Sequence, residues 1–127
     1  MTRTELLEGR ILSVGIRGPR LDLTVISDYA PMDAPNGEAR DREEFWEVLN
    51  NCLVHLPRRS APILGGDFNA RLVLWPTAGH VGNSGIQRRN QRPQDLVDSE
   101  NGAQLRELLE RHGLCAPLTF LRPPCCN

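Results

Sequence analysis

The order of apolar and turn-forming segments predicts an α/β fold with a mixed sheet. Three observations carry that expectation. Two alternating runs are separated by a turn signal and predict an antiparallel hairpin. A helical stripe then precedes a third apolar run, as in a crossover connection. A second helical stripe closes the pattern, so the predicted order is β-β-α-β-loop-α.

The first run is Arg10 to Ile16, RILSVGI, with Leu12, Val14 and Ile16 on one face. RGPR at Arg17 to Arg20 is a turn signal. Leu21 to Tyr29, LDLTVISDY, is the second run. Leu21, Leu23 and Val25 alternate there with Asp22 and Thr24, and β-branched residues cluster. Ala30 to Gly37 reads as a loop. Asp41 is expected to cap a helix, with Glu44 three residues on as in a capping box. Phe45, Leu49, Cys52, Leu53 and Leu56 follow at helical spacing, and Pro57 closes the helix. His55 is expected on its solvated flank. Ala61 to Gly66 is a short apolar run of buried-strand type. Arg71 to Asp98 is rich in Gly, Asn and Arg and is expected to be mostly irregular. Leu105, Leu108, Leu109 and His112 form the last stripe, with Gly113 as its terminator. A further strand is expected to start around Leu118 to Leu121.

A chain of 127 residues fits one domain, and few aromatics predict an aliphatic core. No run of about 18 apolar residues occurs, so no membrane span and no membrane partner are expected. No secretory signal is visible after Met1, which makes an intracellular site, nuclear or cytoplasmic, the default expectation. Four cysteines lack any C-x-x-C spacing, which argues against zinc. The formal charge is -1, and all 15 basic residues are arginine. Their positions matter more than their number. Between Phe68 and Gln94 stand Arg71, Arg88, Arg89 and Arg92 with no acidic residue. That segment suits a polyanion, because the guanidinium fork matches phosphate.

It begins directly after Asp67, within GGDFNA at Gly65 to Ala70. Side chains alternate along a strand. A strand running on through Asn69 would present Asp67 and Asn69 on one side and set Phe68 into the core on the other. An aspartate can bind a divalent cation or take a proton from water. An asparagine can donate to a phosphate oxygen without adding negative charge. Together they fit metal-assisted phosphoester hydrolysis. Gly-Asp-x-Asn is equally good turn chemistry, in which both side chains cap local backbone groups.

The combination of VISDYAP (Val25 to Pro31), FWEVL (Phe45 to Leu49), PILGGDFNAR (Pro62 to Arg71) and the Asn101 to Leu114 stripe resembles the endonuclease/exonuclease/phosphatase superfamily. This is the deoxyribonuclease I-like family. The resemblance is nearest to the apurinic/apyrimidinic-type endonuclease domains of LINE-type (non-LTR) retrotransposons, and it runs from about Arg10 to about Phe120. It implies a four-layer α/β/β/α sandwich and hydrolysis of DNA phosphodiesters with Mg²⁺ or Mn²⁺. It implies that Tyr29 hydrogen-bonds the scissile phosphate, that Asp67 orients or deprotonates the attacking water, and that Asn69 supports Asp67 and contacts the phosphate. Asp67 would reach the metal at most indirectly. Arg71, Arg88 and Arg89 are candidate contacts to the DNA backbone. In parent elements such domains are fused to a reverse transcriptase.

The pattern also departs from the family. Relatives carry a metal-binding Glu on an early strand and a catalytic His in a late S-D-H motif, and neither has a counterpart in these residues. Nothing upstream of Arg10 is expected to hold the early strands. The 127 residues therefore read as a central part of such a domain, expected to be inactive or incomplete alone. Other phosphoesters (a phosphoinositide, sphingomyelin or an RNA end) and a non-catalytic binding module stay open as alternatives.

Overall fold

The computed structural model describes residues 1–33, 39–73 and 97–117. They form a mixed four-stranded sheet and two helices, in the order β1 (Thr2–Leu7), β2 (Ile11–Ile16), β3 (Asp22–Tyr29), α1 (Ala39–Val54), β4 (Ser60–Asp67) and α2 (Glu100–His112). The chain divides into two compact units, Met1–Asn69 and Ala70–Asn127.

In the first unit the strands lie side by side in sequence order. β1 and β2 pair antiparallel, as do β2 and β3, and β3 and β4 pair parallel through the α1 crossover. The expected hairpin, helix and third strand are all present. β1 was not expected. Its hairpin to β2 closes over Glu8-Gly9, where Gly9 takes a left-handed φ of 65° and its N–H donates to Oε1 of Glu5. A turn that needs φ > 0 and a local carboxylate cap explains how a polar stretch such as TRTELL still pairs.

The register separates two faces, because directly paired residues project to the same side. Ile11, Ser13, Ile26, Asp28 and Leu64 share one face. Leu12, Val14, Ile16, Leu23, Val25, Ile63, Tyr29 and Asp67 share the other. The deepest core lies on the first, where Ile11, Ile26, Phe45 and Leu49 are buried. A hydrogen bond joins the side chains of Cys52 on α1 and Ser13 on β2 on this face. Burial pushes the Cys52 thiol up, and the Ser13 bond opposes that shift. The alternation of Leu21, Leu23 and Val25 had pointed to the opposite face. That face is less covered, with Leu21, Ile16 and Ile63 exposed and Leu12, Val14, Leu23 and Val25 half-buried.

Helix α1 begins at Ala39, so Asp41 lies inside the first turn and not at the cap. It still faces the positive end of the helix dipole there. Phe45, Leu49 and Leu53 are buried as the spacing predicts, and Trp46 joins them. Trp46 meets Phe45 edge-on, with centroids 5.2 Å apart, and stacks on Phe68 at 6.4 Å. Phe68 is thereby anchored against the helix, as expected for the residue between Asp67 and Asn69.

In the second unit Ser99 caps α2, its Oγ accepting from the Gly102 N–H at 3.1 Å. Gly113 ends the helix with a left-handed φ of 63°. Leu105, Leu108 and Leu109 are buried. The same Ser99 Oγ accepts the Arg71 N–H, and the Ser99 N–H donates to the Arg71 carbonyl. Beside this, Asp98 accepts from the Val73 N–H and from Arg106 Nε, each at 2.6 Å. Burial works to raise the Asp98 carboxyl, but the Arg106 and Val73 hydrogen bonds outweigh it and hold it below the usual carboxylate range. Residues 71–73 are thus tied to the start of α2. The expected strand at Leu118 to Leu121 lies outside the described residues, as does most of the loop between Arg71 and Asp98.

Candidate functional site at the β3–β4 tip

Parallel pairing brings the C-terminal ends of β3 and β4 together, with Tyr29 directly beside Asp67. Strand ends of this kind are where α/β sheets place ligands. The Ala30 N–H donates to the Asp67 carbonyl at 2.8 Å and completes the ladder. β4 ends at Asp67 and does not run on through Asn69 as the alternation argument required. Asn69 takes a left-handed φ of 44°, a conformation that Asn tolerates better than most residues. Asp67 Oδ1 accepts the Asn69 N–H at 2.9 Å, and Asn69 Nδ2 donates to the Ala30 carbonyl at 2.7 Å. Asp67 and Asn69 are therefore brought together by a turn and not by strand alternation. One amide N–H of Asn69 is spent on tying the end of β4 to the end of β3.

Tyr29 is half exposed on the same face as Asp67. Arg10, at the start of β2, completes the cluster. Its Nη1 donates to the Tyr29 carbonyl at 3.4 Å, and its guanidinium carbon lies 6.0 Å from the centre of the Tyr29 ring. The Tyr29 N–H in turn donates to the Arg10 carbonyl at 2.9 Å. Sequence reasoning missed Arg10. Its signal was the register of the β2–β3 hairpin, which sets the residue before Ile11 beside the residue after Asp28.

Sequence reasoning also missed Asp28, one residue before Tyr29 and on the opposite face. It is only 5% exposed, and neither carboxylate oxygen has a hydrogen-bond partner among the described residues. Burial first, and the Asp67 charge second, raise its carboxyl to about 6. It lies directly across from Ile11 on β2 and Gly66 on β4. A Cβ on Gly66 would fall 1.9 Å from the Asp28 carbonyl oxygen, so only glycine allows this approach of β4 to β3.

Arg71 is exposed and its backbone is bonded to Ser99 in the second unit. Arg88, Arg89 and Arg92 lie outside the described residues. His55 is exposed, and its ring Nδ1 bonds the Asn51 carbonyl at 2.8 Å. His112 is half-buried at the end of α2, and burial, then Arg111, lower its pKa.

Mg²⁺ demands octahedral oxygen coordination, commonly one or two carboxylates with water and substrate phosphate. Among the described residues no group of three His, Cys, Asp or Glu side chains converges to hold a metal ion. Among the described residues of β3 and β4, Asp67 is the carboxylate beside Tyr29, and one of its oxygens is already bonded to Asn69. These residues do not by themselves fit a resident Mg²⁺ or Mn²⁺ centre. No described helix is long and apolar enough to cross a membrane.

In comparisons with known proteins the chain is similar to craniofacial development protein 2 of Bos taurus, 30% identical over 93 residues. It is also similar to craniofacial development protein 2 of Tragulus javanicus, 29% identical over 93 residues. Each match covers 73% of this chain but only 15% and 16% of those proteins. The chain thus spans a small part of the curated relatives it matches. No protein-family model matches it. No solved structure matches it.

Proposed function

We propose that the β3–β4 tip is the phosphate-binding part of a DNA phosphodiesterase site of the endonuclease/exonuclease/phosphatase type. The observation that carries this reading is the meeting of Arg10, Tyr29, Asp67 and Asn69 at one sheet end. Each supplies a distinct interaction. The Arg10 guanidinium offers charge-assisted hydrogen bonds to a phosphate oxygen. The half-exposed Tyr29 hydroxyl donates to a second. Asp67 keeps Oδ2 for a water molecule, because the turn to Asn69 occupies Oδ1. A carboxylate there orients the water and accepts its proton as the oxygen closes on phosphorus, while the opposite P–O bond breaks and the leaving oxygen takes a proton from solvent. Asn69 acts through Asp67 by fixing the turn, and is a positioning residue in this structure.

The half-covered face bearing Leu12, Val14, Leu23, Val25 and Ile63 supports the finer reading of the fold. A second sheet packed on those residues would complete a four-layer α/β/β/α sandwich. The proposal places an intracellular phosphodiester, DNA before phosphoinositide, sphingomyelin or RNA end, as the substrate class. Support for DNA comes from the arginines that follow the site in sequence. Fusion to a reverse transcriptase in a parent element belongs to the same reading.

A second reading rests on the Asx-type turn itself. If Asp67 and Asn69 serve only to close β4 onto β3, the tip is a structural corner of a small binding module. Fluorescence anisotropy with a labelled DNA duplex separates the two. On the phosphate reading Arg10→Gln weakens binding and reduces the magnitude of the log–log salt slope by about 1. Tyr29→Phe weakens binding several-fold at unchanged stability. Equal binding by wild type, Arg10→Gln and Tyr29→Phe would leave only the structural corner. Vesicles containing a phosphoinositide, titrated in parallel, test the other phosphoester class.

A further inference from the structure

Asp28 has no place in the phosphate site, because its side chain lies on the α1 face of the sheet. Its position is nevertheless unusual. A carboxylate with no hydrogen bond is among the least favourable groups to bury, whereas a neutral carboxyl is tolerated far better. Asp28 is 5% exposed and both oxygens lack partners among the described residues. It sits opposite Gly66, where a Cβ would meet its carbonyl, and one residue before the Tyr29–Asp67 pair.

We propose that Asp28 is a proton-operated latch on the β3–β4 junction: neutral, it permits the close pairing that sets Tyr29 beside Asp67, and ionised, it loosens that pairing. Burial first, and the Asp67 charge second, favour the neutral form. From β4 the acting charge is Asp67, which repels a second carboxylate. From β2, Arg10 directs its guanidinium to the Tyr29 carbonyl and ring. From α1 the inner stripe is Phe45, Trp46, Leu49 and Leu53, with half-buried Arg42 one turn before Phe45 and Cys52 bonded to Ser13. None of these groups hydrogen-bonds Asp28. The raised carboxyl, about 6 against 3.8, agrees with this picture.

The sign follows from linkage. The folded state holds the proton more tightly than the unfolded state. The stabilising contribution is therefore complete below about pH 4 and is lost as pH rises through about 6. The inference does not depend on the phosphate reading, and its test needs no ligand. Urea unfolding of the full chain between pH 4 and 7.5 is compared with that of Asp28→Asn. The folding equilibrium constant of the wild type is expected to fall about a hundredfold relative to the variant across that range. Parallel profiles for the two proteins would overturn the proposal. Should Asp28→Asn fail to fold, carboxyl ¹³C titration of the wild type decides: a midpoint near 6 supports the latch, and one near 4 overturns it. Hydrogen exchange, corrected for its intrinsic pH dependence, locates the effect. The Ala30 amide bonded to Asp67 is expected to lose protection before the β1–β2 amides, and uniform loss would contradict a latch at this junction.

Discussion

At the residue scale, two adjacent glycines make opposite predictions. Nothing lies within 4 Å of a Cβ built on Gly65, whereas one on Gly66 meets the Asp28 carbonyl. Gly65→Ala is expected to leave stability within about 0.5 kcal/mol of wild type. Gly66→Ala forces β4 away from β3 and is expected to destabilise by about 3 kcal/mol, the upper range for strain in a packed strand pair. Urea midpoints check both. Asn69→Ala removes the bond to Ala30 and puts a side chain less tolerant of φ 44° at the turn. A loss of about 1–2 kcal/mol is expected. Asp67 and Asn69 were legible in the sequence as a pair, but for a different geometric reason. Period-two alternation presumed a continuing strand, and the left-handed turn at Asn69 replaced it. Asp28 was not legible. In VISDYAP the polar residue before Tyr29 looks like the exposed partner of an alternating strand, and only the sheet's register shows it facing the core.

At the element scale, the second unit depends on the start of α2. Ser99 serves two N–H groups at once, those of Gly102 and Arg71. Ser99→Ala is expected to cost about 1–2 kcal/mol, the upper range for an N-cap, because two donors lose their acceptor. Thermal unfolding followed by circular dichroism measures it. Asp98 and Arg106 form a part-buried pair that also grips the Val73 backbone. Arg106→Lys keeps the charge but loses the fork, and is expected to destabilise more than Arg111→Lys, whose exposed partner is Glu107. The helices themselves were readable from apolar spacing and from Gly113. Their starts were less so, since Asp41 has capping chemistry but sits inside a helix that begins at Ala39. β1 escaped notice because an edge strand with polar alternation carries little apolar signal. Its pairing depends on β2 being present beside it.

At the scale of the whole molecule, one sheet presents two chemistries on its two faces. The α1 face is a packed core that takes in the buried carboxyl of Asp28. The other face carries Arg10, Tyr29 and Asp67 at one end and half-covered aliphatic residues along its length. A formal charge of -1 gives the chain no general attraction for DNA, so affinity must come from local groups. The α/β class was legible because hairpin, crossover helix and third strand each have a strong local pattern. The meeting of Arg10 with Tyr29 was not, because it depends on register across a hairpin. The most direct measurement is a ¹⁵N–¹H NMR titration of the 127-residue chain with a short DNA duplex, at low and moderate salt. Shifts concentrated at Arg10, Tyr29, Ala30, Asp67 and Asn69, and weakened by salt, are the predicted result. A duplex that leaves those residues unmoved, or that shifts residues elsewhere alone, would contradict the assignment of the β3–β4 tip as a phosphate site.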